Sequence, residues 1–105
     1  MNGADISVGG ILVAAMKFEW DLRKAAANRR KHGVSFGEAA MVFGDALAVT
    51  FADPAHSVGE ERWLTFGTSR TGRLLVVSHV ERNGRVRIIS AREATTHERK
   101  IYQEG

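Results

Sequence analysis

The sequence predicts an α+β domain: an antiparallel β-sheet of about four to five strands, an N-terminal helix pair packed on one face, and a short C-terminal helix. Three observations predict it. Residues 21–43 hold two helix-start signals separated by a glycine stop. From Leu47 onward apolar residues fall in short alternating or continuous runs, the mark of strands. Asn83-Gly84 is a two-residue hairpin signal, because both turn positions need positive φ. The 105 residues are 44% hydrophobic and 26% charged, with one proline and no cysteine, which fits one small domain with a single core.

Each element has a local cause. Lys17 to Trp20 alternates, with Phe18 and Trp20 on one face, as in a short half-buried strand. Asp21 is a good N-cap, and Ala25, Ala26 and Ala27 favour a helix running to about Lys31. Arg29, Arg30, Lys31 and His32 gather at its carbonyl end, and Gly33 supplies the left-handed stop. Ser35 and Glu38 form S-x-x-E, a capping box, with Val34 and Ala39 as its staple. The second helix presents Phe36, Ala39, Ala40 and Phe43 and stops near Gly44. Leu47, Val49 and Phe51 alternate in a strand closed by Asp53-Pro54, and a loop to Glu60 leads into the strand Arg62 to Phe66. After a turn at Ser69 to Gly72, Arg73 to Glu81 is the most apolar strand, as expected where both faces are covered. The hairpin returns the chain through Arg85 to Ser90, and a second capping box at Thr95 and Glu98 opens a helix through Ile101 and Tyr102. Residues 1–15 are Gly-rich and weakly patterned, so they are expected to be an extension to a domain spanning 16–105.

Composition removes several classes of function. The longest apolar run, Ile11 to Met16, is far short of the roughly 20 residues that cross a bilayer, and no positive n-region precedes it, so a cytoplasmic protein is expected. His32, His56, His79 and His97 are widely spaced and no thiolate is present, so no metal site is expected. P-loop, G-x-S-x-G and G-x-G-x-x-G motifs are lacking. The net charge is +3, and its layout is uneven. Residues 17–31 carry six basic and two acidic groups, as do residues 82–100, whereas residues 34–61 hold five acids and no Lys or Arg. A fold that joins the basic segments makes a positive field suited to a phosphate backbone.

The residues that fit such chemistry are strand-borne arginines. Arg85 and Arg87 share one face of the last strand, and Arg92 follows just past its end. Guanidinium groups fixed on a sheet can stabilise the charge of a phosphoryl-transfer transition state, and RNA carries its own nucleophile in the 2′-hydroxyl. Beyond those cations, cleavage needs only a proton acceptor and donor, for which His32, His56, Glu60, His97 and Tyr102 are the candidates. Plainer roles compete. Arg62, Arg73 and Arg87 can pair with Glu60, Glu61 or Glu81; Arg92 can bridge to Glu98; His32 can cap a helix; His79 suits a buried structural position; Tyr102 can anchor the last helix.

Taken together, F-E-W-D at 18–21, K-A-A-A-N-R-R-K-H-G-V-S-F at 24–36, V-F-G-D at 42–45, H-S-V-G-E-E-R-W at 56–63, R-I-I-S-A-R at 87–92 and E-R-K-I-Y at 98–102 resemble the BrnT toxin family. The resemblance implies a RelE-like fold and a metal-independent endoribonuclease, without cofactor, that inhibits translation. It also implies neutralisation by a BrnA-like ribbon-helix-helix antitoxin in a heterotetramer of two toxin and two antitoxin chains, with operator DNA bound through the antitoxin. Carried over by position, Arg62, Arg87 and Arg92 are expected to clamp the phosphate, Glu60 or His32 to handle protons, and Lys24, Lys31 and Tyr102 to hold the RNA. Ala46, where the family commonly has proline after Asp45, and the N-terminal extension depart from the pattern. Two other readings remain open on the residues alone: a toxin acting on a protein target such as DNA gyrase, and a non-catalytic nucleic-acid-binding module.

Overall fold

The computed structural model describes residues 16–105; the extension expected over residues 1–15 lies outside them. The chain forms β1 (Phe18–Glu19), α1 (Leu22–His32), α2 (Phe36–Met41) with a 3-10 turn (Val42–Gly44), β2 (Val49–Ala52), a second 3-10 turn (Pro54–His56), β3 (Trp63–Thr68), β4 (Leu74–Arg82), β5 (Arg85–Glu93) and α3 (Thr96–Glu104). This is the α+β order the sequence predicts.

The caps act as local chemistry requires. Asp21 accepts from the backbone N–H groups of Arg23 and Lys24, and Gly33 ends α1 at φ 69°. The capping box at Thr95 and Glu98 is complete. The expected box at Ser35 is half-formed: Ser35 caps the Glu38 N–H, but the Glu38 carboxylate turns outward to Arg73, Ser69 and Thr71. That carboxylate, held down to about 2 chiefly by the Arg73 guanidinium, ties α2 to the β3–β4 turn.

The sheet order is β1-β5-β4-β3-β2, with β1 parallel to β5 and the other pairs antiparallel. Residues directly opposite share a face, so the register sorts the side chains. Leu75, Val77, His79, Ile88 and Ala91 look toward the helices; Val34, Phe36, Ala39 and Val42 complete that core. Val76, Ser78, Val80 and Arg82 of β4 look the other way, level with Arg92, Ser90, Arg87 and Arg85 of β5. Leu74, Val76 and Phe66 on this second face are also buried, which accounts for the continuous apolar run of β4. Gly67 passes so close under the 3-10 turn that a Cβ there would stand 3.0 Å from the Val42 carbonyl oxygen.

One irregularity governs the arginines. Ser78 pairs with Ser90 but His79 pairs with Ile88, leaving Ile89 as an extra residue in β5. Strict alternation would put Arg92 on the face opposite Arg85 and Arg87; the bulge restores it to theirs. Arg92 is thus inside β5, not past its end.

His79 is 8% exposed, bonded through Nε2 to Thr65 Oγ1 at 2.7 Å, with its ring against Phe43. Burial pushes its pKa down to about 4. Because the unfolded imidazole, near 6.5, takes up its proton first, stability present above pH 6.5 is lost as pH falls toward 4. Urea midpoints should show a loss of about 2 kcal/mol between pH 6.5 and 5, absent in His79→Gln. A second decline should follow between pH 4.5 and 2 as Glu38 and Glu98, each held at about 2 by an arginine, are protonated.

Candidate functional site

The second sheet face divides into two halves. At the Leu74 end, α3 docks over Thr68 and Arg92. Arg92 donates from Nη1 and Nη2 to the two oxygens of Glu98 at 2.7 and 2.8 Å, a bidentate pair that also belongs to the Thr95 capping box. Tyr102 Oη donates to Asp45 Oδ2 at 2.6 Å and accepts from Thr68 Oγ1. Asp45 further accepts from the backbone N–H groups of Thr68 and Leu47. Burial pushes the Asp45 carboxyl up, but these donors outweigh it and leave it below the ordinary value, while the carboxylate pushes the Tyr102 hydroxyl up. Tyr102 and Arg92 therefore fasten the last helix to the sheet.

At the hairpin end the same face carries charge. Glu19 of β1 stands opposite Arg87 of β5, which stands opposite Val80 of β4. Continuing the β3 register one residue before Trp63 brings Arg62 opposite Val80, and continuing β2 past Ala52 brings Asp53 opposite Arg62, where the Asp53 N–H donates to the Arg62 carbonyl at 2.8 Å. One row thus reads Glu19, Arg87, Val80, Arg62, Asp53. Val80, although between two arginines in the row, is 2% exposed.

Most of these cations are already matched. Arg87 and Arg85 lie 3.0 and 3.8 Å from the Glu19 carboxylate. Arg82 forks onto Glu60 with both bonds at 2.9 Å, so the carboxyl of Glu60 is held low, first by that hydrogen bond and further by Arg62 and Arg87 nearby. Arg62 differs. Among the described residues it has no ion pair, and its Nε is buried without a hydrogen-bond partner. A buried unpaired N–H costs about 1–3 kcal/mol, and Arg62 carries that cost on the face it shares with Arg87.

The expected site residues therefore separate. Arg62, Arg87 and Glu60 gather at the hairpin end. Arg92 shares their face but stands level with Val76, four β4 residues and about 13 Å from the Val80 row. Lys24 lies in the first turn of α1 beside Asp21, the N-cap whose carboxyl feels Arg87, so it flanks the row. Lys31 and His32 lie at the other end of α1, next to Gly33, whose carbonyl accepts from Arg73 at the far end of β4. The six residue steps along β4 from Leu74 to Val80 put that end about 20 Å from the row. His97 is exposed in the first turn of α3. Sequence reasoning passed over Arg82, Asp53 as a side chain, and Asp45; Asp53-Pro54 was legible only as a strand stop. No group of three or more His, Cys, Asp or Glu that could hold a metal occurs among the described residues.

Comparison with known proteins agrees with this arrangement of elements. The crystal structure of the Brucella abortus ribonuclease toxin, BrnT, superposes with a TM-score of 0.62 at 25% identity, covering 78% of this chain and 100% of that one. No curated protein matches the chain. The family model described as ribonuclease toxin, BrnT, of type II toxin-antitoxin system matches residues 20–98, from Trp20 beside the row to Glu98 in the first turn of α3. The chain belongs to the BrnT family of type II toxin-antitoxin ribonuclease toxins.

Proposed function

We propose that the protein is a metal-independent endoribonuclease whose phosphate grip is the pair Arg62 and Arg87. The observation that carries this reading is the guanidinium of Arg62, which has no carboxylate partner among the described residues and lies in register with Arg87 on the sheet. The scissile phosphate lies over Val80, between two forks that oppose the negative charge growing on its oxygens. Glu19 and Glu60 fix the neighbouring arginines and keep the patch from repelling itself, and Lys24 guides the flanking backbone. Arg92 and Tyr102 support the site by keeping α3 in place. Lys31 and His32 extend a basic helix that meets RNA beyond the cleaved bond.

Cleavage of messenger RNA in the cytoplasm accounts for an arrest of translation. A BrnA-like ribbon-helix-helix antitoxin neutralises the protein by covering the row, in a complex of two toxin and two antitoxin chains whose operator-DNA contacts belong to the antitoxin. Purified protein incubated with messenger RNA in excess EDTA is expected to release fragments at the rate seen without chelator. Intact RNA, or cleavage that EDTA abolishes, would refute the reading.

A further inference from the structure

We propose that His56 is the group that moves the proton during cleavage, with Asp53 as its positioning residue; the inference rests on the ribonuclease reading above. The sequence offers several proton carriers, and the geometry removes most of them. Both oxygens of Glu60 are engaged by Arg82, and its carboxyl is held low, so it is a poor base near neutrality. His32 lies at the far end of the sheet, His79 is buried on the helix-covered face, and His97 sits on α3.

His56 is on the Arg62 side and is built to present a ring. Its Nδ1 lies 2.9 Å from Asp53 Oδ2; the Asp53 side chain is 15% exposed and that of His56 is 66% exposed. A carboxylate on Nδ1 selects the tautomer whose Nε2 carries a free lone pair. The turn itself is fastened to the arginine. Besides the Asp53 N–H to Arg62 bond, the Arg62 N–H donates to Ser57 Oγ at 2.9 Å, and Ser57 Oγ donates to the Asp53 carbonyl at 2.7 Å. Pro54 opens the turn with its φ already fixed. The turn that carries the imidazole is therefore tied to the backbone of Arg62, the one sheet-face arginine that has no carboxylate partner among the described residues. The other charged groups on the segments around this turn are Glu61, Arg62 itself and the Glu60–Arg82 pair.

The step balances with one histidine. Nε2 takes the proton from the 2′-hydroxyl as the 2′-oxygen bonds to phosphorus. It returns that proton to the 5′-oxygen as the bond from phosphorus to that oxygen breaks. The products are a 2′,3′-cyclic phosphate and a 5′-hydroxyl, with no water consumed.

The test uses a single-stranded oligoribonucleotide in excess EDTA, with its all-2′-deoxy analogue as a binding probe. His56→Gln should lose about 100-fold in kcat while binding the 2′-deoxy strand within about twofold of wild type. Asp53→Asn should cost about 10-fold in kcat and leave binding of the 2′-deoxy strand within about twofold of wild type, because the ring loses the acceptor that fixes its tautomer. His56→Ala should regain cleavage on addition of free imidazole, which a variant that merely misfolds does not do. A His56→Gln protein that cleaves within about threefold of wild type with an unchanged pH profile overturns the assignment and leaves the ribonuclease reading standing. A wild-type protein that leaves RNA intact overturns both.

Discussion

Asn28→Ala is expected to lower the stability of the domain by about 3–5 kcal/mol, read as a large fall in the urea midpoint at pH 7. The side chain is 6% exposed and makes three bonds to backbone groups. Nδ2 donates to the carbonyls of Val34 at 2.9 Å and Ala91 at 2.8 Å, and Oδ1 accepts from the Ala91 N–H at 3.0 Å. The reason lies in the sheet. β1 pairs with only Val86 and Arg87 of β5, so the outer edge of β5 beyond them has no strand beside it. Asn28 offers the donor and acceptor that a strand residue would offer, and holds α1 against that edge while its second donor fixes the loop at Val34. Removing it strands three backbone groups where solvent is largely excluded, each worth about 1–3 kcal/mol. Asn28→Asp should be nearly as damaging, since it turns an acceptor toward two carbonyls. Against a total of about 5–15 kcal/mol for a domain of this size, either variant approaches the unfolding threshold. A loss under about 1 kcal/mol for Asn28→Ala would mean that the edge is satisfied in another way.

Asn28 also marks where the sequence stops being legible. Helix ends, the Asn83-Gly84 hairpin and the buried β4 run were readable because each depends on residues a few positions apart. Asn28 was passed over within A-A-A-N-R-R, though one signal was there: with Ala25 it falls on the inward stripe of α1, where an asparagine needs a reason. The pairing of β1 with β5 joins segments 68 residues apart, and no local pattern announces it. The bulge at Ile89 was equally hidden in R-V-R-I-I-S-A-R, yet it decides which face Arg92 takes. The likelihood that some arginines would be spent on carboxylates was readable, but not the partners. Arg87 chose Glu19 and Arg73 chose Glu38 and Glu93, instead of the cross-strand Glu60, Glu61 and Glu81. Partner choice follows from register and from which edge the helices cover, and so does the absence of a partner at Arg62 among the described residues.

That absence leads to the second large effect: Arg62→Lys should reduce RNA cleavage by about 100-fold while leaving the fold as stable or more so. Lysine keeps the positive charge but replaces the planar fork with a single ammonium, which cannot bind two phosphate oxygens at once. Meanwhile the buried Nε, which has no partner, gives way to a methylene, and relief of that unsatisfied group is worth about 1 kcal/mol. Activity and stability should therefore move in opposite directions, the signature of a residue retained for function at a cost to the fold. Arg87→Lys lacks this second half, because the Arg87 guanidinium is already bonded to Glu19 and its loss leaves that carboxylate less well matched. Measuring kcat on an oligoribonucleotide and the urea midpoint for both variants separates the cases. If Arg62→Lys lost stability and kept full cleavage, Arg62 would be a structural strut, and the phosphate grip would have to be sought elsewhere on the molecule.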